Sequence, residues 1–249
     1  MSNDGYGSFG ANATKYGVAR QAFPEKIFSY LKERAGKRTT VLDMGCGTGI
    51  PSRQLADRGY VVTGSDIDKR MIEQAKIDSK DFNIKYIISP SNKLPFDDKF
   101  FDIVTAFSAF HWFCDDASLS EIKRIQDNKG LLFVVNKNET GDLKKIIKNT
   151  LKPFINSELP KDAKKDYDPA KIMKKWGFDD IQEYTVLVTE EYTIKDALLY
   201  TQSMSVWNLV EENNHGKALR ALRDIFISIA RNDIVMRPLE VKIASGFKS

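Results

Sequence analysis

Cysteine is scarce in this chain: Cys46 and Cys114 are the two in 249 residues, so no disulfide framework holds it together. Long apolar runs are missing as well, and none approaches the roughly 18 residues that a bilayer span needs. Met1 to Gly10 is small and polar, with neither the basic start nor the apolar stretch of a secretory leader. Together these features read as a cytoplasmic protein. Arginine is absent from the lysine-rich stretch Lys137 to Lys175, where eleven lysines stand against six acidic residues. Acids are interspersed throughout it and no repeated aromatics are present to stack bases. The stretch therefore reads as a solvated surface and not as a nucleic-acid groove. No internal repeat or low-complexity tract occurs.

What is present is ordinary for a globular protein, with 42% hydrophobic and 29% charged residues and a formal charge of +4. The chain is organised around Val41-Leu42-Asp43-Met44-Gly45-Cys46-Gly47-Thr48-Gly49. Thr39 to Met44 suits one buried parallel strand. Three alternate glycines break it, and the amphipathic stretch Ile50 to Arg58 follows until Gly59 stops it. In a strand–glycine turn–helix arrangement, backbone N–H groups approach a ligand with no Cβ atoms in the way. Asp66 closes the next apolar run and lies twenty-one positions beyond Gly45. That spacing lets its carboxylate reach the ribose hydroxyls of a nucleoside held at the turn, and a carboxylate can accept from both. Asp68 is then the residue that caps the helix from Lys69 to Ile77.

The nine-residue string resembles motif I of the class I S-adenosylmethionine (SAM)-dependent methyltransferases, V-L-D-x-G-C-G-T-G. A second string, Phe101-Asp102-Ile103-Val104 followed by Ala109-Phe110-His111-Trp112-Phe113, is similar to the family's F-D-x-V…A-x-H-W-F. The resemblance implies an α/β, Rossmann-like, doubly wound fold with a seven-stranded, mostly parallel sheet. It also implies a single domain over residues 1–249, with helical cap insertions at about 140–166 and 193–233. SAM is the implied cofactor and S-adenosylhomocysteine the product, with no metal. The nearest family members are small-molecule enzymes of the trans-aconitate, biotin-pathway and ubiquinone/menaquinone type. A small acceptor (carboxylate, hydroxyl or enol carbon) is therefore expected, with no nucleic-acid or membrane partner.

Carried over residue by residue, the motif places Asp43, Gly45, Cys46, Gly47 and Gly49 against the cofactor, with Asp66 and its neighbour Ile67. Backbone carbonyls of Phe107 and Ser108 fall where the family meets the methionine ammonium. Ser89 to Phe96 is similar to the adenine-framing segment G-D-A-x-x-L-P-F. Pro90 stands in the place of its acid, which leaves adenine to backbone groups and to Ser91 or Asn92.

On the acceptor side, Tyr16, Arg20 and Phe23-Pro24 partly match a Tyr…Arg…Tyr-Pro segment that closes over the cofactor in one group of these enzymes. His111 is either a base or substrate-positioning group, or a hydrogen-bonded structural histidine. Trp112 either walls the pocket or packs. A helix expected from Asp196 to Val210 carries Tyr200, Met204 and Trp207 on one face; such a stripe either packs as core or, through Trp207 and Met204, walls the acceptor. Strand five is expected over Leu131 to Asn136, after a turn at Asn128-Lys129-Gly130. A nicotinamide-dependent dehydrogenase would need its third glycine three places after the second, and here it comes two after, with Ile50 next. A non-catalytic SAM-binding regulator stays open. An RNA methyltransferase is disfavoured because no Asn-Pro-Pro-Tyr-type tetrapeptide occurs.

Overall fold

β1 (Thr40–Met44) is buried on both faces, with Val41, Leu42 and Met44 sealed from solvent, as a central parallel strand requires. This is a computed structural model, and it describes residues 13–156 and 167–249, apart from the side chains of Tyr16 and Val18. Residues 1–12, and the stretch 157–166 at the end of the first expected cap segment, lie outside the described residues.

The strands β1, β2 (Val61–Asp66), β3 (Lys85–Ile88), β4 (Phe101–Phe107), β5 (Gln126–Glu139), β6 (Phe178–Thr193) and β7 (Ile234–Lys248) form one seven-stranded sheet. Their order is β3-β2-β1-β4-β5-β7-β6. The pairs β1–β2, β1–β4, β2–β3 and β4–β5 are parallel. This is the expected doubly wound arrangement. The chain runs outward through β2 and β3 on one side of β1, then returns to lay β4 on the other. Such a reversal opens a crevice at the carboxyl ends of β1 and β4.

The chain packs as two units. A sheet unit comprises Ala22–Lys137, Val241–Ser249 and the described part of Ala163–Val186. Its helices include α2 (Glu25–Ala35), α3 (Ile50–Ala56), α4 (Lys69–Asp78), α5 (Asp116–Ile125) and α7 (Pro169–Lys175). Leu42, Met44, Val104, Leu132 and Val134 of the strands pack with Leu119, Ile122 and Ile125 of α5. A helical unit comprises Leu187–Glu240 and the described parts of Met1–Gln21 and Asn138–Asp162. It contains α1 (Ala13–Ala19), α6 (Leu143–Leu151), α8 (Ile194–Gln202) and α9 (His215–Ile229) around Ile147, Tyr200, Trp207, Leu222 and Phe226. Residues 140–156 and 193–233, expected as cap insertions, fall in this unit. Among the described residues no helix is long and apolar enough to cross a membrane.

Two expectations of local structure are corrected. β5 begins at Gln126, directly after α5. Its partner on β4 jumps from Phe101↔Gln126 to Ile103↔Leu131, so Asp127 to Gly130 form an irregularity inside the strand, with Lys129 at φ 57°. The helix expected to Val210 ends at Gln202, and a separate 3₁₀ turn covers Ser205–Leu209. The reason is local competition for carbonyls: Thr201 Oγ1 donates to Ala197 O at 2.9 Å and Ser203 Oγ to Tyr200 O at 2.6 Å. Tyr200, Met204 and Trp207 therefore share no helix face, although all three are buried in one cluster.

Candidate active site

The loop leaving β1 turns on three left-handed glycines, Gly45 (φ 66°), Gly47 (φ 54°) and Gly49 (φ 77°). Each has its own reason for being glycine. A Cβ on Gly45 would lie 2.6 Å from Ala109 Cβ, and one on Gly49 would strike the Tyr86 hydroxyl. A Cβ on Gly47 would meet nothing within 4 Å, so the backbone there faces open space. Cys46 N donates to Ser65 O at 3.0 Å, tying the loop to the end of β2. Burial pushes the Cys46 thiol well above its ordinary pKa, which makes it packing and not a nucleophile.

Asp66 stands at the end of β2. Its Oδ2 accepts from Gly47 N and its Oδ1 from Asp68 N, both at 2.9 Å. Burial raises its pKa, with the Asp68 charge adding to the rise, against the lowering effect of the backbone N–H groups of Asp68, Gly47 and Ile67. Asp68 caps α4 by accepting from Arg70 N at 2.9 Å, so that duty does not fall on Asp66. A carboxylate oxygen takes more than one donor, and each oxygen of Asp66 keeps capacity for another. An open loop beside a carboxylate with two vacant acceptor positions fits the ribose of a nucleoside cofactor. Ile67 follows as an exposed apolar side chain.

Beneath the loop, Asp43 is wholly buried. Its Oδ2 accepts from Ser52 Oγ at 2.6 Å and its Oδ1 from Thr105 Oγ1 at 3.1 Å. Burial pushes its pKa up to about 7; the two hydroxyls oppose the rise and nearby Asp66 adds to it. Its visible work is to join the first turn of α3 to β4 under the glycines. On the expected adenine side, the Ser91 hydroxyl is already shared with Ser118 of α5 at 2.9 Å, whereas Asn92 is exposed.

At the end of β4, Phe107 is buried edge-on to Phe23, with ring centroids 4.9 Å apart. Ser108 adopts φ 55° and its N–H donates to Val135 O at 2.7 Å. That left-handed residue throws the chain out of the sheet into the 3₁₀ turn Phe110–Trp112. His111 and Trp112 are half-buried there, with ring centroids 4.8 Å apart. Tyr167 stands edge-on to His111 at 5.7 Å. Asn136 of β5, buried, donates from Nδ2 to the Tyr167 hydroxyl at 3.3 Å.

The sheet unit thus brings together the glycine loop, Asp66, Ile67, Phe107, Ser108, His111 and Trp112 at the carboxyl ends of β1, β2 and β4. Arg20, Met204 and Trp207 belong to the helical unit. There the Arg20 guanidinium lies 4.9 Å over the Tyr200 ring, and Trp207 stacks on His215 at 4.8 Å. The side chain of Tyr16 lies outside the described residues. Asn136 and Tyr167 were not anticipated. Asn136 showed only as the polar end of an apolar run, and Tyr167 sits in a lysine-rich stretch without periodicity.

Residues 42–134 match the family described as a methyltransferase domain. An uncharacterised methyltransferase of Schizosaccharomyces pombe is 23% identical over 230 residues, covering 90% of this chain and 89% of that protein. The 2-methyl-6-phytyl-1,4-hydroquinone methyltransferase of Synechocystis is 30% identical over 161 residues, covering 64% of this chain. The chain spans about half the length of that relative, 49%. Among solved structures, Haemonchus contortus phosphoethanolamine N-methyltransferase 2 in complex with S-adenosyl-L-methionine has the same fold. Its TM-score is 0.55 at 18% identity, over 96% of this chain and 57% of that one.

Proposed function

With a class I methyltransferase domain as the premise, we propose that this chain transfers a methyl group from SAM to a small-molecule acceptor. The observation that carries the reading is Asp66, tied to the glycine loop through Gly47 N and still able to accept two ribose hydroxyls. Bound SAM supplies an already activated methyl group on a sulfonium. The chain's own task is then alignment and exclusion of water. Gly45 to Gly49 and Asp66 would hold the nucleoside end. The backbone at Phe107 and Ser108 would hold the amino-acid end, and His111 would serve as a base for a hydroxyl or enol acceptor. The acids interspersed through the lysine-rich stretch support a small acceptor over nucleic acid. Two free cysteines and the absence of a membrane-crossing helix among the described residues support a cytoplasmic setting.

The test is ligand-dependent stabilisation. SAM or its demethylated product at about 100 times its dissociation constant should stabilise the protein by about 2.7 kcal/mol, and NADH should not. Asp66→Ala should weaken SAM binding by about 1.5–3 kcal/mol, the range for hydrogen bonds to a charged group. Unchanged affinity in that variant, read by titration calorimetry, would remove Asp66 from the site. His111→Asn should lower turnover of a hydroxyl acceptor by about 10²-fold with SAM affinity nearly intact. Full turnover in that variant would show that the acceptor needs no base at His111, and equal losses of stability and activity would make the histidine structural.

A further inference from the structure

We propose that Asn136 and Tyr167 form an acceptor-binding pair that selects a neutral hydroxyl over a carboxylate, an inference that rests on the methyltransferase reading above. Asn136 is 3% exposed, on β5 next to Val135, whose carbonyl holds Ser108 at the crevice. Its amide is half satisfied. Nδ2 donates to the Tyr167 hydroxyl, while Oδ1 has no hydrogen-bond partner among the described residues. A buried carbonyl oxygen left without a donor is costly and uncommon, which points to a group that arrives with the ligand.

Tyr167 supplies the complementary half. Its oxygen accepts from Asn136, so its own proton is left to donate, and no acceptor among the described residues takes it. Burial pushes the phenol pKa above its ordinary value, so the proton stays in place at any physiological pH. The pair thus offers one acceptor and one donor, beside the edge of His111.

A neutral hydroxyl matches both: its proton goes to Asn136 Oδ1 and its lone pair takes the Tyr167 proton. A carboxylate can use only the second, and it brings its negative charge against the lone pairs of Oδ1. That mismatch is a rejection device as well as a missing bond. Of the acceptor chemistries open to this fold, the pair favours a neutral hydroxyl over a free acid.

The experiment compares two stable probes of one shape, 2-naphthol and 2-naphthoate, titrated into the protein with S-adenosylhomocysteine present. Wild type should bind 2-naphthol at least tenfold more tightly than 2-naphthoate. Tyr167→Phe and Asn136→Leu should each shrink that preference at least fivefold, with the response to SAM unchanged. Tyr167→Phe removes a single half-buried hydroxyl and decides the matter if Asn136→Leu does not fold. No binding of 2-naphthol, equal or tighter binding of 2-naphthoate, or a preference unmoved by the variants overturns the proposal. An ordered water on Oδ1 would give the last of these. Absence of any response to SAM in wild type would instead defeat the methyltransferase reading, and thermal shift with SAM alone separates the two failures.

Discussion

Asp43 and Arg237 are buried ionisable groups, one in each unit, and they are treated in opposite ways. Asp43, in the sheet unit, has only the neutral hydroxyls of Ser52 and Thr105 as partners. Arg237, in the helical unit, has two carboxylates: Nε donates to Glu139 at 2.8 Å and Nη1 to Glu190 at 2.6 Å. Tyr192 also donates to Glu190 at 2.6 Å, and the Arg237 guanidinium lies 4.7 Å over the Tyr200 ring. Burial works against charge in both places. Around Arg237 the Tyr200 ring and the carboxylates outweigh it, and its pKa is raised, so the group stays ionised. Around Asp43 nothing outweighs it, and the carboxyl is poised at about 7. Counter-charge locks a buried group in one state, whereas hydroxyls alone leave it adjustable.

The largest test of this contrast is Arg237→Met, which leaves Glu139 and Glu190 facing each other without a cation. It should cost about 3–5 kcal/mol in chemical denaturation, the usual penalty for stranding buried charge. A loss below about 1 kcal/mol would mean that the carboxylates neutralise or reach water. Asp43→Asn is the next. A raised folded-state pKa gives stability that is complete below the ordinary value of 3.8 and is lost as pH rises through about 7. The slope is at most about 1.4 kcal/mol per pH unit. Denaturation midpoints of wild type minus variant, which cancel the other titrating groups, should trace that decline, and parallel curves would refute it. Ser52→Ala is the finest probe. It should cost about 1 kcal/mol at neutral pH and move the midpoint of the same decline upward, since one lowering hydroxyl is gone. A midpoint that moved down would show that burial is not what sets the Asp43 pKa.

Much of the sheet unit was legible in the residues, and the reason is that its elements are enforced locally. Left-handed backbone at positions 45, 47 and 49 demands glycine, so the loop announces itself. β1 and β4 read as apolar runs because both faces are covered. The spacing between Gly45 and Asp66 picks Asp66 out as a ribose candidate, and in the fold Asp66 accepts from Gly47 N. The pairing of Asn136 with Tyr167 is less legible. Tyr167 meets Asn136 across a separation of 31 positions, and no periodicity encodes that encounter. The end of α8 was missed because Thr201 and Ser203 turn back onto carbonyls of their own helix, a choice that an apolar stripe does not register. Asn128-Lys129-Gly130 has the composition of a turn before the strand, but the irregularity lies inside β5. Lys129 does adopt a turn-like φ, but the pairing with β4 resumes around it.

Gly45 and Ala109 cannot drift independently in evolution. A side chain at position 45 would overlap the methyl of Ala109, and the Phe113 ring stands 3.1 Å away on the same flank. The loops after β1 and β4 therefore share one methyl's worth of room, and Ala109 has taken it. An enlarged residue at 109 would push the glycine turn off its β2 anchor at Ser65 even though position 109 lies far from the glycine motif along the chain. Homologues that differ at one of these positions should differ at the other, or carry a smaller residue at 113. A mutagenesis library aimed at the acceptor should hold all three constant, because diversity there is spent on the loop and not on the pocket.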